Sequence, residues 1–342
     1  MHPAPFAAAL GAAPWTTDIA PLPPLRPGAD ELSQVLALCA HGLAAQPGPV
    51  RDALVAVLNG LLGDHLQQAE HPLATPLQLR HQGQPLPPAG VPAALGEQAR
   101  RRVLLLVHDL CLDEHSWQRE GHDYGALLAG TLDATVLTLR YNSGLAVHHN
   151  AALLAEQLDR LQAAWPLPLQ TLDAVGHGMG GLVLRSACAQ AEAARRPWRG
   201  ALRRLVFLGT PHLGLPAQRL YPWLRRVLGL RQASAPLARL VKWRSAGMAD
   251  LHQARLLAGA PARAPQRLPL PAGVVCHALA GLLPGQQGDG LVPLDSALGR
   301  HADAARGLGL PASQCWVADD VHHLELLSHA RVYRRLLYAL SD

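Results

Sequence analysis

Six apolar runs, separated by helical patterns, constrain this chain more than any other feature. They are "RRVLLLVHDL", "ATVLTLRYN", "TLDAVGHG", "RRLVFLGTPH", "GVVCHALAG" and "SQCWVADD". Continuous apolar runs fit strands buried on both faces. Between them lie "HNAALLAEQLDRLQAAW", "GGLVLRSACAQAEAA" and a long stretch from Pro216 to Leu257, all with helical spacing. Strands alternating with helices predict an α/β fold with a mostly parallel central sheet and helices on both faces. In such sheets chemistry gathers at the carboxyl ends of the strands. The polar motifs fall there: His108-Asp109, Gly176 to Gly181, Gly209 to His212, Gly288 to Pro293 and Asp319 to His323.

The upstream part reads differently. Residues 1 to about 29 are rich in Pro and Ala and read as an irregular arm. "ELSQVLALCAHGLA" and "VRDALVAVLNGLLGDHL" have helical spacing, with Asp30 as N-cap and Gly48-Pro49 as the break between them. "TPLQLRHQGQPLP" alternates around a glycine, as a hairpin does. These features predict a helical N-terminal extension over 1-100. The main domain is expected over 101-342.

Composition excludes several classes. Of 342 residues, 49% are hydrophobic and 16% charged, which supports a sizeable core and argues against wholesale disorder. The net charge of +5 is almost all arginine, since the only lysine is Lys242. The arginines are scattered, so no nucleic-acid surface is expected. Cys39, Cys111, Cys188, Cys276 and Cys315 are widely spaced, with no CxxC, and are read as buried free thiols. The N-terminus lacks a basic segment and its apolar run is short, so a cytoplasmic protein without a transmembrane segment is expected.

The stretch "VGHGMGGLV" carries the functional question. A strand, a Gly-x-x-x-Gly turn and a helix follow in the order of the nucleophile elbow G-x-S-x-G. Gly176 and Gly180 hold the glycine positions, but the serine position is Gly178. Neither a dinucleotide fingerprint nor a Walker sequence is present, so no cofactor is expected. Met179 would supply one backbone N–H to an oxyanion, and Leu110 the second. Asp109 stands where hydrolases of this type commonly have glycine. Aspartate tolerates a left-handed backbone, so the loop could keep its shape. Asp289, in "GDGLVPLDSALG", is the expected acid, with Asp295 as the fallback. His323 is the expected base, with His322 as the lesser choice, in the order nucleophile, acid, histidine. Asp319, Asp320, His322 and His323 could be read as metal ligands, but nothing elsewhere completes the set and no metal is expected. His212 is read as structural.

Taken together, "VGHGMGGLVLRSA", "LVFLGTPHLG", "GDGLVPLDSALG" and "HHLELLSHARVYRRLL" resemble bacterial lipase- and esterase-type α/β-hydrolases, similar to the GPI inositol-deacylase (PGAP-like) group. "YNSG", "RSAGMADL", "ALVAVLNGLLGDHL" and "EHPLATPLQLR" extend the resemblance from about Arg51 to the C-terminus. It implies an α/β-hydrolase fold, with Asp289 and His323 as acid and base and Leu110 and Met179 as oxyanion donors. The nucleophile would fall on Gly178, which has no side chain. A helical cap is expected over 215-263, with Leu220, Trp223, Leu224, Val227 and Leu228 on one apolar stripe. Together with His108, Asp109 and His177, the stripe residues Leu220, Trp223 and Leu224 would line the site of an apolar acyl ester or lipid-like small molecule. Three functional readings stay open: an esterase or lipase lacking its nucleophile, a pseudo-hydrolase that binds an acyl ligand or protein partner without turnover, and slow hydrolysis by water activated at His323. Serine at position 178 would then be expected to restore esterase activity, more so with Asp109→Gly if that carboxylate faces the oxyanion.

Overall fold

The computed structural model describes residues 48–227, 244–259 and 268–341. The arm over 1–29, the helical pattern over 31–44 and the middle of the expected cap lie outside the described residues.

All six apolar runs form strands of one sheet. In chain order they are β3 (Arg102–Val107), β4 (Thr135–Arg140), β5 (Thr171–His177), β6 (Leu202–Leu208), β7 (Val275–Leu282) and β8 (Cys315–Asp319). A hairpin, β1 (Gln78–His81) and β2 (Gln84–Pro85), turns through Gln82 and Gly83, both at positive φ. It adds to the same sheet, whose order is β8-β7-β6-β5-β3-β4-β1-β2. Every pair from β8 to β4 is parallel, and β1 runs antiparallel to β4 and β2. β3 is buried at every position but its first, as a strand covered on both faces must be. β4 alternates, buried at Thr135, Leu137 and Leu139 and half-buried at Val136, Thr138 and Arg140. This is a mostly parallel sheet with flanking helices.

The described helices of eight or more residues are α1 (Gly48–Gln68), α2 (Tyr124–Leu132), α3 (Val147–Ala164), α4 (Met179–Ala193), α5 (Ala217–Val227), α6 (Ala246–Gln253) and α7 (Ala330–Leu340). α3 packs against α4, and α2 against α7. The expected pattern did not single out α2. Its signal is local: the Asp123 side chain caps it by accepting from the Ala126 N–H at 2.9 Å. No described helix is long and apolar enough to cross a membrane.

The segment of residues 48–100 shares the main core. Leu54, Val57, Leu58, Leu61 and Leu62 of α1 are buried with the sheet residues. The motifs "YNSG" and "RSAGMADL" stitch it in place. Asn142 donates to the Gly63 carbonyl at 2.9 Å, and the Ser245 hydroxyl donates to the Gly60 carbonyl at 2.7 Å. Ser245 also caps α6, and Asp250 of that helix accepts from the Val147 N–H that opens α3. Cys111, Cys188 and Cys276 are buried free thiols, and Cys315 is half-buried and free. Cys39 lies outside the described residues.

Candidate active site

The sheet order places the site. From β3 the chain moves one way to β4 and the other way to β5, so the carboxyl ends of β3 and β5 flank the switch point of the sheet. Val107 pairs with Gly176 at those ends. Asp109 and Gly178 follow directly, one on each strand. Gly180 packs so close to β3 that a Cβ there would overlap the Val107 carbonyl. The glycine therefore sets how near the elbow stands to the loop after β3.

Gly178 has φ 50 and ψ −119, at the N-cap of α4. This is a sharp, positive-φ turn between strand and helix, at the position expected for a nucleophile. The space above it is occupied. A Cβ on Gly178 would overlap the carboxyl carbon and both carboxylate oxygens of Asp109. The Asp109 carboxylate is held there from two sides. Its Oδ1 accepts the Met179 N–H at 2.5 Å, and its Oδ2 lies 3.1 Å from His323 Nε2. The expected oxyanion donor thus holds a carboxylate of the protein itself. Leu110 is buried beside it.

A side chain at 178 and the Asp109 carboxylate need the same volume, so serine there requires the carboxylate to move. Asp109 does not take a left-handed backbone: the loop residue at positive φ is Cys111, at 61°, whose N–H is fixed by the Ser143 hydroxyl at 3.1 Å.

The acid and base positions converge on the same point. Asp289 Oδ2 lies 2.7 Å from His323 Nδ1. Its Oδ1 accepts the N–H groups of Leu291 and Val292 at 3.0 and 2.7 Å, which fixes the carboxylate on its turn. The His323 N–H donates to the Asp289 carbonyl at 3.0 Å, locking the two loops together. Asp295 is exposed on a short helix, and the His322 ring caps the turn that begins at His323. Neither reaches the site.

Electrostatics follow from this burial. Burial by itself would lower His323, but the Asp289 and Asp109 carboxylates outweigh it and push the imidazole up to about 10. Burial would raise Asp109, but the hydrogen bond and charge of His323 hold it below the usual carboxylate range. The balance favours the protonated imidazole of His323, held between Asp109 and Asp289. An imidazole that already carries its proton cannot take one from a hydroxyl.

His177 and His108 are both neutral. His177 is pushed down to about 3 by burial and by the His323 charge. Its Nε2–H donates to the His323 carbonyl at 3.1 Å, and its ring centroid lies 4.5 Å from that of His323. His108 is pushed down to about 4, chiefly by burial. Its Nδ1–H donates to the Asp109 carbonyl at 2.8 Å, and its ring stacks on Tyr141 at 4.4 Å. These contacts fix the loop carrying Asp109. His212 is buried against Phe207, and its Nδ1 accepts from Arg185 at 3.3 Å.

From the expected cap, Leu220 and Trp223 are buried, and the Trp223 ring stands edge-on to His323 at 6.2 Å. The side chains of Leu224 and Val227, and Leu228 itself, lie outside the described residues. Asp109 is 2% exposed, and His177, Met179, Asp289 and His323 are 0% exposed, so the centre is buried. A cavity of about 240 Å³ borders the same two segments from elsewhere, lined by Val50, Cys111, Leu112, Asp113, Leu324 and Leu327 among others.

No protein-family model matches the chain, and no curated protein matches it. Among solved structures the chain is similar to the mature Bacillus licheniformis lipase BlEst2, at 18% identity over 68% of this chain and 91% of that one, with a TM-score of 0.44. It is similar to YbtT, a type II thioesterase of the yersiniabactin pathway, at 18% identity over 71% and 97%, with a TM-score of 0.44. A thermophilic esterase from Thermogutta terrifontis gives 18% identity over 78% and 92%, with a TM-score of 0.41.

Proposed function

We propose that the chain is a pseudo-hydrolase of carboxylesterase type, with the acid–histidine pair of an ester hydrolase and a centre closed by its own carboxylate. The observation that carries this reading is the seat of Asp109. Acyl transfer needs an oxygen nucleophile on the histidine and an oxyanion on the backbone N–H after it. The two oxygens of Asp109 take both places: Oδ2 faces His323 Nε2, and Oδ1 accepts from Met179. The site thus holds a built-in likeness of a carboxylate product.

The two departures from the hydrolase pattern form one feature. Asp109 needs the room that Gly178 leaves, and Gly178 alone would leave that room empty. The role that remains is binding, of an apolar acyl group beside Leu220 and Trp223 or of a protein partner, without ester turnover.

The test is esterase activity on p-nitrophenyl acyl esters. The protein itself is expected to show none above background. The double change Asp109→Gly with Gly178→Ser opens the seat, supplies Oγ and frees the Met179 N–H. Loss of a triad nucleophile costs on the order of 10⁶ in turnover, so even a poorly rebuilt triad should be visible. Turnover by the unaltered protein, abolished by Asp109→Asn or His323→Gln, would overturn the proposal.

A further inference from the structure

We infer that Asp109, His177 and His323 form a binding site for one divalent first-row transition-metal ion, with Asp289 as the carboxylate behind His323. This inference does not depend on whether the protein turns over esters. It rests on how the donor atoms are held.

One donor atom from each of the three residues lies within 4.8 Å of the other two, and all three side chains are buried. The imidazoles are wired as metal-bound imidazoles are. A ligating histidine usually gives its other ring nitrogen to a carboxylate or a backbone carbonyl, which fixes ring and tautomer. His323 gives Nδ1 to Asp289 at 2.7 Å, leaving Nε2 toward Asp109. His177 gives Nε2 to the His323 carbonyl at 3.1 Å, leaving Nδ1. That Nδ1 is fully buried and has no hydrogen-bond partner. A buried acceptor without a donor calls for an explanation, and a cation supplies one.

The spacing agrees. Two ligand atoms on a tetrahedral zinc ion stand roughly 3.3 Å apart, given metal–ligand distances of about 2.0–2.1 Å. His323 Nε2 and Asp109 Oδ2 are 3.1 Å apart, so this edge is already formed. Two nitrogens and one carboxylate oxygen suit first-row divalent ions, and leave a position for water or a small ligand. The ligands differ from the Asp319, Asp320, His322 and His323 set considered from the sequence, of which only His323 takes part.

The experiment uses the full chain, treated with a chelator, desalted and titrated with Co²⁺ and then Zn²⁺. One equivalent of Co²⁺ is expected to give visible bands of a four- or five-coordinate ion, which Zn²⁺ then removes, with a rise in Tm for either metal. His177→Gln keeps an amide N–H for the His323 carbonyl but lacks Nδ1, and Asp109→Asn keeps the shape without the charge. Each is expected to weaken binding at least about tenfold. His115→Ala, outside the cluster, should change nothing. Absence of Co²⁺ bands and of any Tm shift at millimolar metal would overturn the inference, as would titrations unchanged in both cluster variants. If neither variant folds, X-ray absorption of the Zn²⁺-loaded protein decides. Two imidazole nitrogens with oxygen at about 2.0–2.1 Å support the site, and sulfur or fewer imidazoles refute it.

Discussion

The Asp109 carboxylate fills the volume that a side chain on Gly178 would occupy. The two residues lie on the carboxyl ends of adjacent strands and are sterically exclusive. Gly178→Ala should therefore destabilise twice over, through its positive φ and through collision with a buried, ion-paired carboxylate. We expect a loss of about 2–5 kcal/mol on combining a strained backbone with overpacking. Asp109→Gly should relieve the collision, so Gly178→Ala should cost clearly less in that background. A double-mutant cycle by urea denaturation measures the coupling, and an energy indistinguishable from zero would show that the side chains do not compete.

Asp289 supports both a charge and a turn. Asp289→Ala leaves the His323 imidazolium facing a cavity and the N–H groups of Leu291 and Val292 without an acceptor. Breaking a buried ion pair from one side costs about 3–5 kcal/mol. Asp289→Asn should recover part of this, since its carbonyl oxygen can still accept from the turn. Equal stability of the Ala and Asn variants would mean that the turn hydrogen bonds contribute nothing.

Much of this was legible in the sequence, for physical reasons. Doubly buried strands read as continuous apolar runs, and β3 through β8 all appear where those runs lie. The meeting of Asp289 and His323 was legible because both stand in loops at the carboxyl ends of late parallel strands. Asp109 was visible only as a departure from glycine. Whether its side chain pointed at the elbow depends on the register of β3 against β5, which no local pattern encodes. The same holds for His177, whose second nitrogen is defined by a carbonyl far away in the chain. The ion pairs of Arg102 and Arg204 with buried Asp173 also escaped, because each partner sits on a different strand.

His212 offers a test at acid pH. Burial and the neighbouring Arg185 hold it well below its usual range, so it is neutral in the fold. The unfolded chain binds a proton there below about pH 6.5, and the folded chain does not. The stability linked to His212 is therefore fully present above that pH and is lost as pH falls below it. The slope approaches about 1.4 kcal/mol per pH unit for one proton. His212→Asn retains an acceptor for Arg185 and removes the proton. Its urea midpoint should fall less steeply between about pH 6.5 and 5 than that of the unaltered protein. Identical slopes would show that His212 is not held neutral.

Glu114 ties the N-terminal elements to the sheet. It lies in the loop after β3, with its side chain 3% exposed, between Arg80 of β1 at 2.8 Å and Arg140 of β4 at 2.6 Å. Arg140 also donates through Nε to Glu114 Oε2 at 2.7 Å, and its Nη2 reaches Asp52 of α1 at 2.7 Å. Burial alone would raise Glu114, but the Arg140 hydrogen bond and charge hold it below the usual carboxylate range. Glu114→Ala leaves two guanidinium groups in a partly buried pocket, with the half-exposed Asp52 and the neighbouring Asp113 to offset them. We expect a loss of about 3–5 kcal/mol, the cost of stripping one partner from a buried pair. Glu114→Gln, which keeps an acceptor, should lose less. Because α1 and the hairpin share the core of the sheet, the loss should appear in a single unfolding transition. Circular dichroism and limited proteolysis in the region 48–100 should then report the same midpoint. A Glu114→Ala protein within about 1 kcal/mol of the original would remove this cluster from the forces that join α1 to the sheet, since surface pairs contribute only that much.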